Sequence, residues 1–267
     1  MVSARWHRRP VAVVVGGYEV AWVPEIEYGI PPRSLRERTV RAILSTADLL
    51  LPVSEHTLYE MRTRFPQVNQ RTQRIYNGVD TASFQTDPSA VRGGVLCVGT
   101  INRETVNKKG WQLFWNTAAL LPHVPFIAVG RAPDAVGGGM IARRPPNLTW
   151  LGELTGESLR RQFQTARVYF QGSAHESFGV ALAEAMACGC IPVVSRRGAL
   201  PEVAGEAAFY IDALTAESAQ AAVREALLAP ESRRLAARQR IVENFDIGRR
   251  RTELTDALHE MLQSARR

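Results

Sequence analysis

Short apolar runs alternate with helical patterns from one end of the chain to the other. Runs of about strand length occur at Val11 to Val15, Leu49 to Val53, Val95 to Val98, Phe126 to Val129, Leu148 to Leu151, Val168 to Phe170 and Ile191 to Val194. Alternation of this kind is typical of parallel β-sheets whose strands are joined by crossover helices. The pattern therefore predicts an α/β fold.

Polar residues indicate where the first predicted helices begin. Ser34 and Glu37 have the spacing of a capping box, which opens a helix, and Ser54 is placed to cap the next helix. The segment Gln73 to Tyr76 predicts a short strand that the Asn77-Gly78 turn closes. These local signals predict the order of elements in the first part of the chain.

Turn-forming residues gather between Asp87 and Gly94, where the apolar pattern stops. We therefore predict a domain boundary there, with residues 1–86 in one domain and residues 94–245 in a second. In the segment 246–267, apolar residues recur at helical spacing. This segment is expected to form a helix that packs back on the first domain.

The composition is that of an ordinary globular protein, with 45% hydrophobic and 22% charged residues. No apolar run approaches the roughly 20 residues that a membrane-spanning helix needs. The basic residues Arg5, Arg8 and Arg9 precede an apolar stretch that Gly16 and Gly17 end before it reaches the length of a signal peptide. A cytoplasmic location is therefore expected.

A formal net charge of +7 indicates phosphate-rich partners, a class that includes nucleotides, anionic lipids and nucleic acids. Lys108 and Lys109 are the only lysines among 33 basic residues. Either a compact ammonium group is required at this place, or two surface lysines fell together by chance. Cys97, Cys188 and Cys190 lie in apolar segments without disulfide or zinc spacing, so we expect buried thiols.

The segment from His175 to Gly189 carries the strongest chemical signal. It reads HESFGVALAEAMACG and passes from a predicted strand through a turn of small residues into a helix. The exposed N–H groups and the dipole of a helix N-terminus favour an anion such as phosphate. Glu184 lies among small and apolar residues of this helix and needs a polar partner there.

Two interpretations of these glutamates are open. In the first, a nucleotide-sugar lies along the helix N-terminus, with Glu176 on hydroxyl groups of the sugar and Glu184 on hydroxyl groups of the ribose. In the second, Glu184 pairs with an arginine in the core and Glu176 only caps the helix.

Together with the Ile191-Pro192-Val193-Val194 run, this segment closely resembles the E-x7-E signature of the family 4 (group 1) glycosyltransferases, which have the GT-B fold. Further segments resemble that family's motifs in the family's order: ADLLLPVS at 47–54, IYNGVD at 75–80, VG at 98–99, KG at 109–110, VG at 129–130, LG at 151–152 and GALPE at 198–202. The resemblance covers nearly the whole chain. It implies two Rossmann-like domains with parallel sheets, an acceptor-side domain in residues 1–86 and a nucleotide-sugar-binding domain in residues 94–245.

The resemblance also implies a role for each matching residue. Lys109 matches the lysine that neutralises the donor diphosphate as it leaves, Glu176 the glutamate on the donor sugar, and Glu184 the glutamate on the ribose. The remaining donor-binding positions, which match the phosphate cradle and the base and diphosphate contacts, are Ser177, Phe178, Gly179, Val180, Gly130 and Leu154. The implied reaction moves a sugar from a nucleoside diphosphate sugar to an acceptor hydroxyl with retention of anomeric configuration.

Some features depart from the family pattern. The arginine that often follows the glycine of the first strand of the second domain is Thr100 here, and Arg103 is either its substitute or a solvated loop residue. The family's first domain normally begins with a further segment that carries a glycine-rich loop and acceptor contacts, so the first domain is expected to be incomplete. Where many relatives have a histidine, this sequence has Glu19 nearby, either as an active-site residue or as a surface residue.

An incomplete first domain keeps a second hypothesis open, a catalytically incomplete donor-binding module: a fragment, a pseudoenzyme, or a subunit that needs a separate N-terminal chain.

No D-x-D or E-x-D pair is present, so metal-independent donor binding without a cofactor is expected. The absence of G-x-G-x-x-G between a strand and a helix disfavours a nicotinamide dehydrogenase, and no recognised nucleic-acid-binding motif occurs. The arginines between residues 33 and 41 and in the tail either touch an anionic membrane or form a solvated basic face.

Overall fold

The computed structural model describes residues 9–265, so Arg5 and Arg8 lie outside the described residues. The strands are β1 (Ala12–Val15), β2 (Trp22–Val23), β3 (Tyr28–Gly29), β4 (Leu49–Pro52), β5 (Gly93–Val98), β6 (Phe126–Val129), β7 (Leu148–Trp150), β8 (Ala166–Gln171), β9 (Ile191–Ser195) and β10 (Phe209–Ile211). The helices are α1 (Leu35–Thr46), α2 (Glu55–Arg64), α3 (Thr105–Lys108), α4 (Trp111–Leu120), α5 (Ala135–Ala142), α6 (Gly156–Thr165), α7 (Val180–Ala187), α8 (Leu200–Ala204), α9 (Ala216–Leu228), α10 (Glu231–Asn244) and α11 (Ile247–Ser264). The chain divides into two compact units, one of the residues up to Gly78 and from Ile247 onward, the other of Val79–Asp246.

The boundary between the two units lies after Gly78, before the turn-rich segment at Asp87 to Gly94 where the sequence predicts it. Helix α6 explains why, because its side chains hold this segment in the second unit. Gln164 Nε2 donates to the carbonyl oxygen of Gln85 at 3.0 Å, and Arg161 pairs with Asp87 at 2.5 Å. Tertiary contacts rather than turn composition therefore set where the second unit begins.

In the first unit, β1 and β4 pair in parallel, with Ala12 opposite Leu49. Successive residues of a strand point to opposite faces of the sheet. Val15 and Leu50 join a cluster with residues of α1 and α2, whereas Leu49 and Leu51 join a cluster with residues of α11. The strand β4 is buried on both faces for this reason.

Side chains cap α1 and α2 where the sequence predicts the starts of these two helices. Ser34 Oγ accepts a hydrogen bond from the backbone N–H of Glu37 at 3.1 Å, and Ser54 Oγ accepts one from that of Thr57 at 3.0 Å. The carboxylate of Glu37 accepts from the N–H of Arg33 at 2.6 Å, one residue before the expected capping-box partner. These caps satisfy N–H groups that lack partners within the helix.

The strand predicted at Gln73 to Tyr76 is wrong, because the structure has only an isolated bridge between Leu50 and Thr72. The N–H groups of Gln73 and Ile75 do donate to β4, at 2.9 and 3.0 Å. A ladder also needs a donor from β4 between these two bonds, and the residue there is Pro52, which has no N–H. The segment stays extended beside β4 without forming a strand.

The second unit contains a parallel six-stranded sheet in the order β10-β9-β8-β5-β6-β7. Alternate strand residues, among them Cys97 and Phe170, enter a large apolar cluster with Trp111 and Phe114 of α4. The sheet is thus of the covered, parallel kind that the alternating sequence pattern predicts.

The strand order reverses at the centre of this sheet. From β5 the chain moves outward to β6 and β7, and it then returns to β8 and continues outward on the other side to β9 and β10. In parallel α/β sheets, ligands bind outside the carboxyl ends of the strands at such a reversal. The residues that follow Val98 in β5 and Gln171 in β8 are therefore the first place to look for a site.

The three cysteines are free and buried, as the sequence predicts. Burial raises the pKa of Cys97, Cys188 and Cys190 to about 12, so each remains a protonated thiol at neutral pH. Among residues 9–265, no helix has the length and apolar character needed to span a membrane.

Candidate active site

Lys109 follows β5 in the chain but lies against the end of β8. Its backbone N–H donates to the carbonyl oxygen of Thr105 at 2.8 Å, and the next residue, Gly110, has a φ of 73°. A Cβ atom at Gly110 would lie 2.2 Å from the carbonyl oxygen of Gly172. Since only glycine permits this approach, the backbone itself brings Lys109 to the strand reversal.

The Lys109 side chain crosses Gly99 and reaches Glu176. A Cβ atom at Gly99 would lie 3.0 Å from Lys109 Cδ, so the bare glycine backbone leaves room for the aliphatic part of the lysine. Lys109 Nζ lies 3.3 Å from Glu176 Oε2, and the two side chains are 26% and 12% exposed. A diphosphate carries more negative charge than one carboxylate, so a diphosphate that entered here would compete for the same ammonium group.

Lys108 lies beside this ion pair. Its carbonyl oxygen accepts a hydrogen bond from the N–H of Ala174 at 2.8 Å, which ties α3 to the loop after β8. Burial lowers the pKa of Lys108, and the charge of Glu176 acts in the opposite direction. The two lysines of the sequence therefore both stand near the same carboxylate.

Gln171 holds the Glu176 carboxylate as well, and it is not among the site residues predicted from the sequence. Its Nε2 donates to Glu176 Oε2 at 2.7 Å, and the residue is 4% exposed. It ends β8, whose preceding residues Val168, Tyr169 and Phe170 are buried and mostly apolar. A polar residue at the carboxyl end of a buried strand is the signal that could have identified it.

The backbone of Glu176 is fixed by the loop after β9. The N–H of Ala199 donates to its carbonyl oxygen at 2.8 Å. Gly198 has a φ of 60°, and a Cβ atom there would lie 2.2 Å from that carbonyl oxygen and 2.6 Å from the nitrogen of Glu176. The loops after β5, β8 and β9 therefore hold Lys109 and Glu176 together.

The N-terminus of α7 begins next to Glu176. Gly179 precedes the helix with a φ of 92°, and a Cβ atom at Gly179 would lie 3.6 Å from Glu176 Cγ. Among the described residues, no side chain caps this helix. Phe178 is buried and packs edge-on against Phe245, with 5.5 Å between ring centroids. Ser177 is half-buried and Val180 is 45% exposed. The first turn of α7 therefore offers N–H groups, without a side-chain cap, close to the Lys109–Glu176 pair.

Glu184 lies in the middle of α7 and is half-buried. Burial raises the pKa of its carboxyl group to about 7. The apolar sequence around Glu184 predicts a polar partner for this carboxylate, either a ligand or an arginine of the core. Within residues 9–265 the carboxylate has neither a hydrogen bond nor an ion pair, so the arginine pairing is absent.

Gly130 and Leu154 follow the other two strands on this side of the sheet. Gly130 is held by Gly152, whose carbonyl oxygen accepts its N–H at 2.7 Å, and by the indole of Trp150, which donates to its carbonyl oxygen at 2.8 Å. A Cβ atom at Gly130 would lie 1.8 Å from the carbonyl oxygen of Gly99, so these two glycines are adjacent. Leu154 is half-buried in the loop after β7, two strands away from β5.

Arg103 does not replace the arginine that the family pattern has at Thr100. The carbonyl oxygen of Thr100 accepts the indole N–H of Trp111 at 3.0 Å, which closes the loop. Arg103 is exposed, and its backbone N–H donates to Asp134 at 2.9 Å. In this structure it is the solvated loop residue of the two alternatives.

Glu19 belongs to the first unit, where it stabilises its own loop. Its carboxylate accepts the backbone N–H of Gly16 at 2.6 Å. This contact follows directly after β1 and involves only neighbouring residues. The local role of Glu19 is therefore that of a turn residue.

Comparisons with known proteins agree with this architecture. Residues 142–244 match the family model described as glycosyl transferases group 1. The MMP alpha-(1->4)-mannosyltransferase of Mycolicibacterium hassiacum is 27% identical over 266 residues, which cover 92% of this chain and 57% of that protein. The chain spans between 30% and 57% of the length of the curated relatives it matches.

Solved structures resemble the chain over nearly its whole length. Sucrose-phosphate synthase from Thermosynechococcus elongatus has a TM-score of 0.83 at 18% identity, over 98% of this chain and 71% of that one. HepE of Anabaena, solved in complex with UDP-glucose, has a TM-score of 0.77 at 19% identity, over 97% of this chain and 74% of that one. The family match lies within the second unit, and the chain shares the GT-B fold of these solved structures.

Proposed function

We propose that the unit Val79–Asp246 binds a nucleoside diphosphate sugar and that the chain transfers the sugar to an acceptor hydroxyl with retention of configuration. One observation carries the proposal. At the strand reversal, Lys109 Nζ lies 3.3 Å from Glu176 Oε2, beside a helix N-terminus that no side chain in the described part of the chain caps. This arrangement offers a positive charge and N–H donors to a diphosphate, and a carboxylate to a sugar.

The donor diphosphate lies between Lys109 and the first turn of α7 in this proposal. The ammonium leaves Glu176 for the phosphates, and the N–H groups from Phe178 to Val180 donate to phosphate oxygens. Donors that are already in place stabilise the negative charge that develops on the leaving group. The bond between the anomeric carbon and the phosphate oxygen breaks, the acceptor oxygen bonds to the same face of that carbon, and the acceptor proton passes to the departing phosphate.

The two glutamates bind the two sugars of the donor. Glu176 Oε2 already faces Gln171 and Lys109, and Glu176 Oε1 has no hydrogen bond among the described residues, so it is available to a hydroxyl of the transferred sugar. Glu184, which has no described partner, accepts hydroxyl groups of the ribose. HepE of Anabaena holds UDP-glucose, which supports uridine as the first base to test.

Calorimetric titration with UDP, GDP and ADP, each with and without a sugar, tests donor binding. Lys109→Met is expected to weaken binding of the diphosphate, and Glu176→Gln to weaken binding of the sugar part. The matched control is Arg161→Met, which breaks an exposed ion pair of 2.5 Å with Asp87 in the same unit. Donor binding that survives both site variants unchanged overturns the proposal.

A donor-binding module without turnover is the alternative. Nuclear magnetic resonance of the anomeric proton separates the two, since a retaining transferase yields a product with the anomeric configuration of the donor. Donor binding without product for any acceptor tested favours the module.

We also propose that α1 touches anionic membranes peripherally. The single acidic residue of this helix, Glu37, is buried and pairs with Arg64 at 3.0 Å, so the outward face carries Arg36 and Arg38 beside Leu35, which is 78% exposed. Basic residues next to an exposed apolar side chain favour an anionic lipid surface. Co-sedimentation with phosphatidylserine vesicles, absent with phosphatidylcholine alone and lost in the Arg36→Glu, Arg38→Glu variant, is the expected result, and equal sedimentation of that variant contradicts it.

A further inference from the structure

The contact between Gln171 and Glu176 permits only one orientation of the amide group. A carboxylate accepts hydrogen bonds and cannot donate them, so the NH2 of Gln171 must face Glu176 Oε2, at 2.7 Å. The amide carbonyl oxygen then faces away. Gln171 Oε1 is buried there without a hydrogen-bond partner among the described residues.

This orientation costs stability. A buried carbonyl oxygen without a partner loses its hydrogen bonds to water and gains none in the protein. An apolar residue at position 171 would serve the fold better, which indicates that Gln171 serves the site.

Glu176 Oε2 receives two donors, and only one of them is free to leave. Gln171 Nε2 lies at 2.7 Å on a buried side chain at the end of a central strand. Lys109 Nζ lies at 3.3 Å on a more exposed and longer side chain. When the ammonium group moves to a diphosphate, Gln171 remains as the donor that keeps the Glu176 carboxylate in place.

We infer that Gln171 is a positioning residue that holds the carboxylate of Glu176 toward the transferred sugar once Lys109 has moved to the diphosphate. The inference rests on the proposed function. It assigns to Gln171 the sugar part of donor affinity and leaves the nucleotide part to other residues. Loss of one hydrogen bond to a charged group corresponds to a change of roughly tenfold or more in affinity.

The ratio of the Kd for a nucleoside diphosphate to the Kd for its sugar ester measures how much the sugar contributes to donor affinity. Three ligand pairs are first titrated into the wild-type chain by calorimetry at about pH 8: UDP with UDP-glucose, GDP with GDP-mannose, and ADP with ADP-glucose. The pair that binds most tightly is then used for the variants. The variants are Gln171→Met, which keeps the length without the NH2, and Gln171→Glu, which keeps the shape but replaces the donor by a second carboxylate. The control Gln239→Met breaks a chemically equal bond of 2.7 Å, between Gln239 and Glu243, on the exposed helix α10.

We expect Gln171→Met to lower the ratio roughly tenfold and Gln171→Glu to lower it further, because two facing carboxylates repel each other. The Kd for the nucleoside diphosphate should change less than about twofold, and the Tm of Gln171→Met should not fall, since the unpaired carbonyl oxygen is gone. Gln239→Met should leave the ratio unchanged.

Three results overturn the inference while the proposed function stands. The first is a Gln171→Met ratio equal to that of the wild type, when Glu176→Gln does lower it. The second is an equal loss of both ligands together with a lower Tm, which indicates a structural role. The third is a Gln171→Glu ratio equal to that of the wild type, which indicates that shape rather than donation matters. A wild-type chain that binds none of the pairs overturns the proposed function, and the inference with it.

Discussion

Replacing Glu184 by glutamine should stabilise the folded chain near neutral pH. Burial raises the pKa of this carboxyl group from 4.5 to about 7, and the carboxylate has no hydrogen bond or ion pair within residues 9–265. A shift of this size means that the ionised form is disfavoured in the folded chain by about 3 kcal/mol. Glutamine has a similar shape and no charge, so it avoids this cost.

The stability gain of Glu184→Gln over the wild type grows as the pH rises. Below the unfolded pKa of 4.5 the carboxyl group is protonated in both the folded and the unfolded chain, so wild type and variant differ least. As the pH rises from there to about 7, the unfolded chain releases its proton while the folded chain retains it, and the wild type loses about 1.4 kcal/mol per pH unit relative to the variant. Above the folded pKa the difference stays constant.

Denaturant-induced unfolding between about pH 5 and pH 8 measures this difference. The matched control is Glu225→Gln on α9, which removes an exposed carboxylate from the same unit. The stability difference between Glu184→Gln and wild type should grow with pH, and the control should show no such growth. A difference that is the same at every pH refutes the argument that burial without a partner sets the pKa of Glu184.

The same group should report on nucleotide binding. If ribose hydroxyl groups donate to Glu184, binding favours the ionised carboxylate, so about half a proton should be released per nucleotide near pH 7. Calorimetry in two buffers of different ionisation enthalpy measures this number. Glu184→Gln should release none, and a wild-type chain that binds nucleotide without releasing protons contradicts the ribose assignment.

The remaining predictions concern glycine contacts, a helix cap and metal ions. Gly198→Ala should displace the Glu176 backbone, because its Cβ atom would lie 2.2 Å from the Glu176 carbonyl oxygen, and should therefore abolish donor binding in a titration. The control Gly138→Ala has open space around its Cβ atom in a helix, so it should raise the free energy of unfolding by about 0.5–1 kcal/mol. Ser54→Ala removes the cap on the N–H of Thr57 and should lower the free energy of unfolding by about 1 kcal/mol in a denaturant titration, so an unchanged value contradicts the cap's role. Treatment with EDTA should leave the Kd for the donor unchanged, and a loss of affinity that Mg²⁺ restores contradicts metal-independent binding.

Elements with strong local signals agree closely between sequence and structure. The strand predicted at Phe126 to Val129 is observed with the same bounds, and the helix predicted within the segment from His175 to Gly189 is observed as Val180–Ala187. Hydrophobic period and helix caps depend on neighbouring residues, which is why a single sequence is sufficient to predict these elements.

Helix α5 shows where local signals fail. It contains three consecutive glycines, which are poor helix formers, so the sequence predicts neither a helix nor a strand there. The helix forms because Asp134 caps it and because Gly137 lies against the carbonyl oxygen of Ile101, where a Cβ atom would be only 2.1 Å away. The glycine that weakens the helix locally is thus required by a contact with a distant loop.

The arginines are a second case in which the tertiary structure shows roles that the sequence alone does not. Instead of forming only a solvated basic surface, several guanidinium groups donate to backbone carbonyl oxygens. Arg92 donates to Cys188 at 2.6 Å, Arg167 to Leu227 at 2.7 Å, and Arg240 to Val203 at 2.8 Å. Each partner lies at or next to the end of a helix, where carbonyl groups lack partners within the helix.

The amino-acid sequence by itself determined the α/β class, the starts of α1 and α2, and Lys109 and Glu176 as candidate site residues, because these follow from short-range spacing and from recognisable motifs. Only the tertiary structure decided the order of the strands, and with it the meeting of Lys109, Gln171 and Glu176 at the ends of β5 and β8. It also decided that Glu184 is half-buried without a described partner. Burial and contact depend on residues far apart in the chain, so the roles of Gln171 and Glu184 emerge only once the sheet has assembled.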